Sequence, residues 1–342
     1  MRAAVLTAPE RLEIREVATP VPGRGELLVR LKACGVCTLE QRLFTGEMKM
    51  PYPVVPGHEA AGEVAASGPE VPPGFAAGTR VALDLVARCG TCHYCRTGRS
   101  NMCLNRFNAE QRVLGGFGEF IVVRPSQAFP IPAGLSFEEA AFAEPVACCI
   151  RSLKKVGLRL AEDLLVIGAG PMGQMHVQVA ARMGARVFVS DPDAARSAMA
   201  LRLGAAAAVD PTTGGALAAL VKERTDGRGV DACVVTSPAP AALEAAFASI
   251  AKAGRVNIYT AYAAKTAIPV DANVLHRSEY AVTGTEGRTE RDFHQAVRLL
   301  SFGLVDVKPL ISRTVGFGGL EAGIRAALAR ETYRVLLRHG DP

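Results

Sequence analysis

The sequence predicts an α/β protein in two parts: a β-rich domain with long loops and, inserted into it, a doubly wound domain on a parallel sheet. Residues 1–130 hold short apolar runs, LLVRLKA, AAGEVAA, RVALDLVA and EFIVVRP, separated by glycine and proline. That is the pattern of antiparallel strands joined by turns. From residue 164 onward, strand-like and helix-like stretches alternate, which calls for a parallel sheet covered on both faces. The tail is helical and ends in a short strand, YRVLLR, as though returning to the first domain.

Taken in order, MRAAVLTAPERLEIREV reads as a first strand, because Arg11, Glu13, Arg15 and Glu16 leave no apolar stretch of a secretion signal. Near residue 138, EEAAFAEPVACCIRSLKKV reads as a helix interrupted or kinked by Pro145. Next come the strand LLVIG, the helix MGQMHVQVAARMG, the strand RVFVSD, the helix AARSAMALRLG and the strand AAAVD. GALAALVKERT (helix), VDACVVT (strand), PAALEAAFASIAKAG (helix) and the strands RVNIYT and YAVTGT follow. RDFHQAVRLLSFG and LEAGIRAALAR are the helices of the tail, and no internal repeat is visible.

The 342 residues, 49% hydrophobic and 21% charged, suffice for two globular domains. No stretch of ~18 apolar residues runs free of charge, so no membrane span is expected. The net charge of +6 is scattered among acidic residues, and its densest run, RSLKKVGLR at 151–159, reads as a solvated helix end. A nucleic-acid partner is therefore not expected. Nine cysteines without an export signal argue for reduced thiols or metal ligands and a cytoplasmic protein.

Gly168-Ala169-Gly170-Pro171-Met172-Gly173 follows an apolar strand and opens a helix, the context that gives a G-x-G-x-x-G motif its meaning. The glycines permit the tight turn, the approach of a pyrophosphate and close helix–strand packing, with phosphate at the helix N-terminus. Asp191 ends the next strand where an acid would bind the adenosine ribose, and a carboxylate there repels a 2′-phosphate. NAD is favoured over NADP, with Arg196 the nearby residue that could serve a phosphate.

Cys89-x₂-Cys92-x₂-Cys95-x₇-Cys103 offers four thiolates on one loop, the donor set of a closed, structural Zn²⁺ site. His93 lies within it as a bystander facing solvent. Three further features are unremarkable singly: Cys34-x-x-Cys37, His58-Glu59 in GHEAAGEV, and Glu144 in AEPV. In this order, with the cysteine loop, GGFGEFIVV (115–123) and VIGAGPMG (166–173), they form a specific constellation.

Here the chain resembles, over nearly its whole length, the zinc-containing medium-chain dehydrogenase/reductase superfamily of alcohol, polyol and threonine dehydrogenases. The resemblance implies a GroES-like catalytic domain (1–148 and 286–342) and a Rossmann NAD-binding domain (149–285). It implies two zincs per chain. One is structural; the other is catalytic, lies between the domains, and is held by Cys37 and His58. Glu144-Pro145 stands where alcohol dehydrogenases supply a second cysteine, as in the polyol and threonine branch. Glu59 is then the third protein ligand, and Glu144 contacts the metal directly or through its water. Cys148 and Cys149 lie close in sequence but fit the pattern less well. The implied reaction moves a hydride between a secondary alcohol (polyol, sugar, cyclitol or amino alcohol) and NAD, the metal acidifying the hydroxyl or polarising the carbonyl. Tyr259-Thr260-Ala261 and Gly284-Thr285-Glu286 are expected near the nicotinamide, with Arg288 reaching substrate or cofactor.

The chain departs from the family where relatives carry a relay hydroxyl two residues after the first cysteine. Leu39 stands there and cannot move a proton; Thr38 is one place early and Arg42 sits where some relays end. Glu40 replaces an aspartate and can still orient His58. Proton transfer is then expected to fall to Glu144 and the metal's water, assisted by Glu59. Leu43 stands where sorbitol dehydrogenases tend to have tyrosine, leaving sorbitol itself open as substrate. Leu39 also motivates an alternative, a zinc-braced dinucleotide-binding protein with little or no catalysis. Relatives form homodimers or homotetramers, with the strand near 280 the candidate edge.

Overall fold

The first sixteen residues form an antiparallel hairpin, Arg2–Ala8 against Arg11–Glu16, in a computed structural model that describes residues 1–106, 114–213, 216–262 and 264–340. The chain divides into one unit of Met1–Ala147 with Arg288–Pro342 and a second of Cys148–Gly287.

In the first unit a seven-stranded sheet runs in the order Ile311–Val315, Arg334–Arg338, Leu27–Val36, Glu59–Ser67, Arg80–Asp84, Ala128–Pro130, with Phe120–Val123 also paired to Leu27–Val36. Leu27, Val29, Leu31 and Ala33 are buried on alternate positions while Arg30 points outward, the period-two signature of a strand with one face on a core. The tail strand Arg334–Arg338 lies antiparallel to Leu27–Val36. The antiparallel pattern has one exception, since Ile311–Val315 pairs with Arg334–Arg338 in parallel. The helix Leu320–Leu328 makes the crossover that a parallel pair requires.

Register in this sheet positions the chemistry. Leu336 stands opposite Gly35, Gly35 opposite Glu59, and Glu59 opposite Asp84. Cys37 follows the end of its strand, His58 precedes the start of the next, and Arg334 opens the tail strand, so these side chains share one end of the sheet.

The second unit is a six-stranded, wholly parallel sheet ordered Ala207–Val209, Arg186–Ser190, Asp163–Ile167, Val230–Val235, Ile250–Ile258, Ala281–Gly284. In sequence order this is 3-2-1-4-5-6, the doubly wound arrangement whose crevice opens where the order reverses, beyond the carboxyl ends of the strands. Leu164, Leu165, Val166, Cys233 and Val234 are fully buried, as expected when both faces are covered.

Four local readings change. The stretch expected as one first strand is the hairpin of two, turning between Ala8 and Arg11. The helix around residue 145 is two helices, Phe137–Ala140 and Ala143–Lys155, and Pro145 sits in the first turn of the second. A missing N–H costs nothing there, so the break precedes the proline. The stretch IAKAG, expected as the end of a helix, is extended and belongs to Ile250–Ile258; the helix stops at Ser249. Ala253 at φ +59° and a shift in pairing register show how the chain reverses there. The helix Ala272–Ser278 had no counterpart in the pattern. Gly215, at the start of the expected helix GALAALVKERT, lies outside the described residues. No helix among the described residues is long and apolar enough to cross a membrane.

Candidate active site

Cys37 is the N-cap of the helix Thr38–Thr45: its Sγ accepts from the Leu39 N–H (3.2 Å) and its own N–H donates to Glu40 Oε2 (3.0 Å). The other Glu40 oxygen lies 2.7 Å from His58 Nδ1 and accepts from the Gly57 N–H. A carboxylate can only accept, so Nδ1 carries a proton, and in the neutral imidazole Nε2 presents its lone pair. That nitrogen lies 3.7 Å from Cys37 Sγ. A sulfur and a nitrogen on one tetrahedral zinc, at ~2.3 and ~2.05 Å from it, would be ~3.6 Å apart. Ligand atoms of Cys37, His58 and Glu59 all lie within 4.8 Å of one another. Thiolate, imidazole and carboxylate make a zinc donor set, and three of them leave the fourth position open.

Glu59 reaches this point because Gly35 opposite it has no side chain. A Cβ there would stand 2.0 Å from Glu59 Oε2. The carboxylate is 2% exposed and faces Arg334, whose Nη2 is 3.2 Å from Oε1 and whose Nη1 donates to the Val36 carbonyl. Glu144, in the first turn of Ala143–Lys155, has its Oε1 3.9 Å from His58 Nε2 and takes a hydrogen bond from Arg288 Nη1. Nη2 of Arg288 donates to Asp84 Oδ1 (2.8 Å), and Arg88 grips the other Asp84 oxygen (2.7 Å).

These charges nearly close on themselves. Asp84 and Arg88 cancel, Arg288 and Arg334 pair with Glu144 and Glu59, and the third buried carboxylate, Glu40, faces His58. With Cys37 as thiolate and His58 neutral, two negative charges remain, the complement of a divalent cation. Without one, burial and the neighbouring Glu40 push the Cys37 thiol up to about 12, against the pull of His58. Burial likewise lifts the Glu59 carboxyl to about 7, only partly opposed by Arg334. Burial opposes a charged His58, but Glu40 and then Cys37 outweigh it and hold the imidazole well above its ordinary value. A pocket that resists further negative charge yet is built from anionic donors fits a metal ion.

The loop cysteines form a second cluster. Ligand atoms of Cys89, Cys92, Cys95 and Cys103 lie within 4.8 Å of one another, and Cys89 and Cys103 sulfurs are 3.6 Å apart, against ~3.8 Å for two thiolates on tetrahedral zinc. Backbone N–H groups of Cys89 and Asn105 point at Cys103 Sγ and that of Cys92 at Cys89 Sγ, each at 3.4 Å. The Thr91 hydroxyl and then the Cys92 N–H draw Cys89 down to about 5, whereas burial and the adjacent thiols raise Cys95. His93 is exposed and outside the cluster.

In the second unit Gly168–Gly173 forms the turn between Asp163–Ile167 and the helix Pro171–Arg182, with Gly170 as N-cap and Pro171 in the first turn. A Cβ on Gly173 would fall 1.9 Å from the Gly168 carbonyl oxygen. Gly173→Ala therefore forces helix and turn apart, and an NADH fluorescence titration should show affinity falling at least about tenfold. Asp191, 8% exposed, accepts from the Ala169 N–H (2.6 Å) with one oxygen and from the Asp193 N–H (2.9 Å) with the other. Arg196 Nε lies 3.6 Å from Asp193 Oδ2. Tyr259, Thr260 and Ala261 follow the carboxyl end of Ile250–Ile258, the Tyr259 ring edge-on to His176 (4.8 Å between centroids). Gly284 ends its strand, the Thr285 hydroxyl donates to Asn257 Oδ1 (3.0 Å), and Glu286 is exposed.

Residues 23–133 match the alcohol dehydrogenase GroES-like domain and residues 171–301 the zinc-binding dehydrogenase model. An alcohol dehydrogenase of Geobacillus stearothermophilus is 34% identical over 322 residues, 91% of this chain and 93% of that one. A sorbitol dehydrogenase of Bacillus subtilis (strain 168) is 32% identical over 318 residues, 91% and 89% of the two chains. The chain belongs to the zinc-binding dehydrogenases. A solved zinc-binding dehydrogenase from Sinorhizobium meliloti 1021, bound to NADP, superposes with a TM-score of 0.90 at 28% identity over 98% of both chains. Membership makes this protein a zinc-dependent, alcohol-type oxidoreductase with a small-molecule substrate, of the same medium-chain superfamily that the motifs indicate.

Within this zinc-binding dehydrogenase, the other positions singled out in the sequence fall as follows. Arg288, expected at substrate or cofactor, has both terminal nitrogens engaged by Glu144 and Asp84. Glu144 Oε1 lies 3.9 Å from His58 Nε2, beside the Cys37–His58–Glu59 group. Thr38 is exposed and Leu39 packs on the core of its unit. Cys148 and Cys149 are buried in the second unit, where Cys149 Sγ faces the Met172 carbonyl. Sequence reasoning missed Asp84, Arg88 and Arg334. An acid inside the apolar run RVALDLVA was the available signal, because a buried charge needs a partner. It also missed Gln174, whose Nε2 ties the Ala169 carbonyl to that of Arg196, and Thr236, which caps the Ile167 and Gly168 carbonyls.

Proposed function

We propose that this chain is an NAD-linked dehydrogenase of a secondary alcohol of the polyol, sugar, cyclitol or amino-alcohol class. Cys37, His58 and Glu59 would hold its catalytic zinc, and Cys89, Cys92, Cys95 and Cys103 a structural one. The convergence of the first three at the end of one sheet carries the reading. Bound there, zinc would acidify a substrate hydroxyl in one direction and polarise a carbonyl in the other.

The residues do the rest. Glu40 holds the tautomer and angle of His58. Arg334 balances Glu59, and Arg288 orients Glu144. Because Leu39 carries no proton, Glu144, 3.9 Å from His58 Nε2, is the group we assign to accept one. The glycine turn would hold the coenzyme pyrophosphate, and the Asp191 carboxylate disfavours a 2′-phosphate. The reading includes a catalytic domain of 1–148 and 286–342, a cofactor domain of 149–285, and Tyr259–Ala261 with Gly284–Glu286 near the nicotinamide. It also includes a cytoplasmic location and a homodimer or homotetramer formed through the edge strand Ala281–Gly284.

Metal analysis of the purified protein should return two zincs per chain. A panel of secondary alcohols should yield reduced nicotinamide, with kcat/KM for NAD exceeding that for NADP by about tenfold or more. One zinc per chain, or preference for NADP, would count against the corresponding part of the reading.

A further inference from the structure

The four-cysteine lobe touches the buried charge network at two points. Arg88 immediately precedes Cys89, and Ser100 stands three residues before Cys103. The Ser100 hydroxyl, 7% exposed, donates to Glu290 Oε2, and the other Glu290 oxygen lies 3.5 Å from Arg88 Nε. Arg88 Nη1 donates to Asp84 Oδ2 (2.7 Å) and Nη2 to the Arg288 carbonyl (2.8 Å). From there Arg288 spans Asp84 and Glu144. Ser100, Glu290, Arg88, Asp84, Arg288 and Glu144 thus form a path within the first unit, from the lobe to the carboxylate beside His58. It is made of hydrogen bonds except for the Glu290–Arg88 step, which is an ion pair at 3.5 Å.

We propose that the lobe is a positioning element for Glu144, with Arg88 and Ser100 as positioning residues that fix Arg288 and, through it, the carboxylate. The inference rests on the dehydrogenase reading for the role of Glu144. Its physical basis is the network itself. At the inner end Asp84 is fully buried, Arg288 is 5% exposed and Glu144 7%, so little solvent reaches them to re-satisfy a charge whose partner moves. At the outer end Glu290 is 43% exposed, and water can partly replace the Ser100 hydroxyl. Arg88 holds both the side-chain partner and the backbone of Arg288, so displacing the lobe displaces the guanidinium. A shift of ~1 Å at a reacting group is worth as much as ~10²-fold in rate. The lobe is then more than a brace, because the angle at which Glu144 is presented depends on it.

The test is a double-mutant cycle between Ser100→Ala, which removes one donor at the network's outer end, and Glu144→Gln. Ser100→Ala alone should lower kcat by about 3- to 10-fold, with KM for NAD unchanged. Placed on Glu144→Gln, it should cost nothing further, because the group it acts through has been altered. Equal losses in both backgrounds, or no loss in the parent, would overturn the inference. A second readout avoids turnover altogether: chelator-driven release of zinc from the Cys37–His58–Glu59 site while the lobe stays loaded. Ser100→Ala should speed that release in the parent and leave it unchanged on Glu144→Gln. If the protein binds two zincs but oxidises no alcohol, the dehydrogenase reading fails. The release rates still decide the coupling, and identical parent and Ser100→Ala rates refute it.

Discussion

Cys37→Ser should leave one zinc per chain, in the cysteine lobe, and lower kcat/KM for alcohol oxidation by about 10³-fold or more. A serine hydroxyl is a poor zinc ligand, and only His58 and Glu59 would remain of the three-residue group. Losing the metal removes several kcal/mol of charge stabilisation at the reacting oxygen, at about tenfold in rate per 1.4 kcal/mol. NADH affinity should stay within about twofold, because the glycine turn and Asp191 belong to the other unit. Metal analysis, steady-state kinetics and a coenzyme titration together check this. Two retained zincs, or turnover within tenfold of the parent, would remove Cys37 from the role assigned to it.

A second large effect is expected at the lobe. Its helix, His93–Arg96, buries none of its residues, and the buried residues of the lobe are Ser100, Asn101 and Cys103. On the two-zinc reading the four thiols gather the lobe around the ion they would bind. Cys95→Ser should therefore let residues 89–106 open locally, with cleavage by trypsin at Arg96, Arg99 or Arg106 accelerated by about 10³-fold. The doubly wound unit should keep its resistance. Limited proteolysis with mass mapping reads this directly, and an uncleaved lobe in the variant would mean that packing, not metal, holds it.

What could be read in advance follows from how local each signal is. The alternation of strands and helices, the glycine turn and the cysteine spacing are short-range patterns, each with one economical physical reading. Arg334 and Arg288 are different. Each is a single arginine brought to the site by sheet register or a buried ion pair, well over a hundred positions away from the carboxylate it meets. No spacing rule links residue 59 to residue 334. Pro145 misled because proline breaks helix interiors but suits their first turn, and where a helix begins is a cap property that the apolar pattern does not reveal. The segment at 250–254 misled because alanines and a lysine favour helix, whereas Ala253 and Gly254 turn the chain back into the sheet. The missing relay hydroxyl at Leu39 was plain from the start. The ion pair that holds Glu144 was not.

On the proposed reading Asp191 does two jobs with one carboxylate: it would sense the ribose, and both its oxygens anchor backbone amides, one of them in the loop that would cradle the diphosphate. Re-engineering nucleotide choice by exchanging that side chain alone would unfasten the cradle as it changed the selectivity filter. A successful redesign would need a replacement acceptor for the Ala169 amide in the same step.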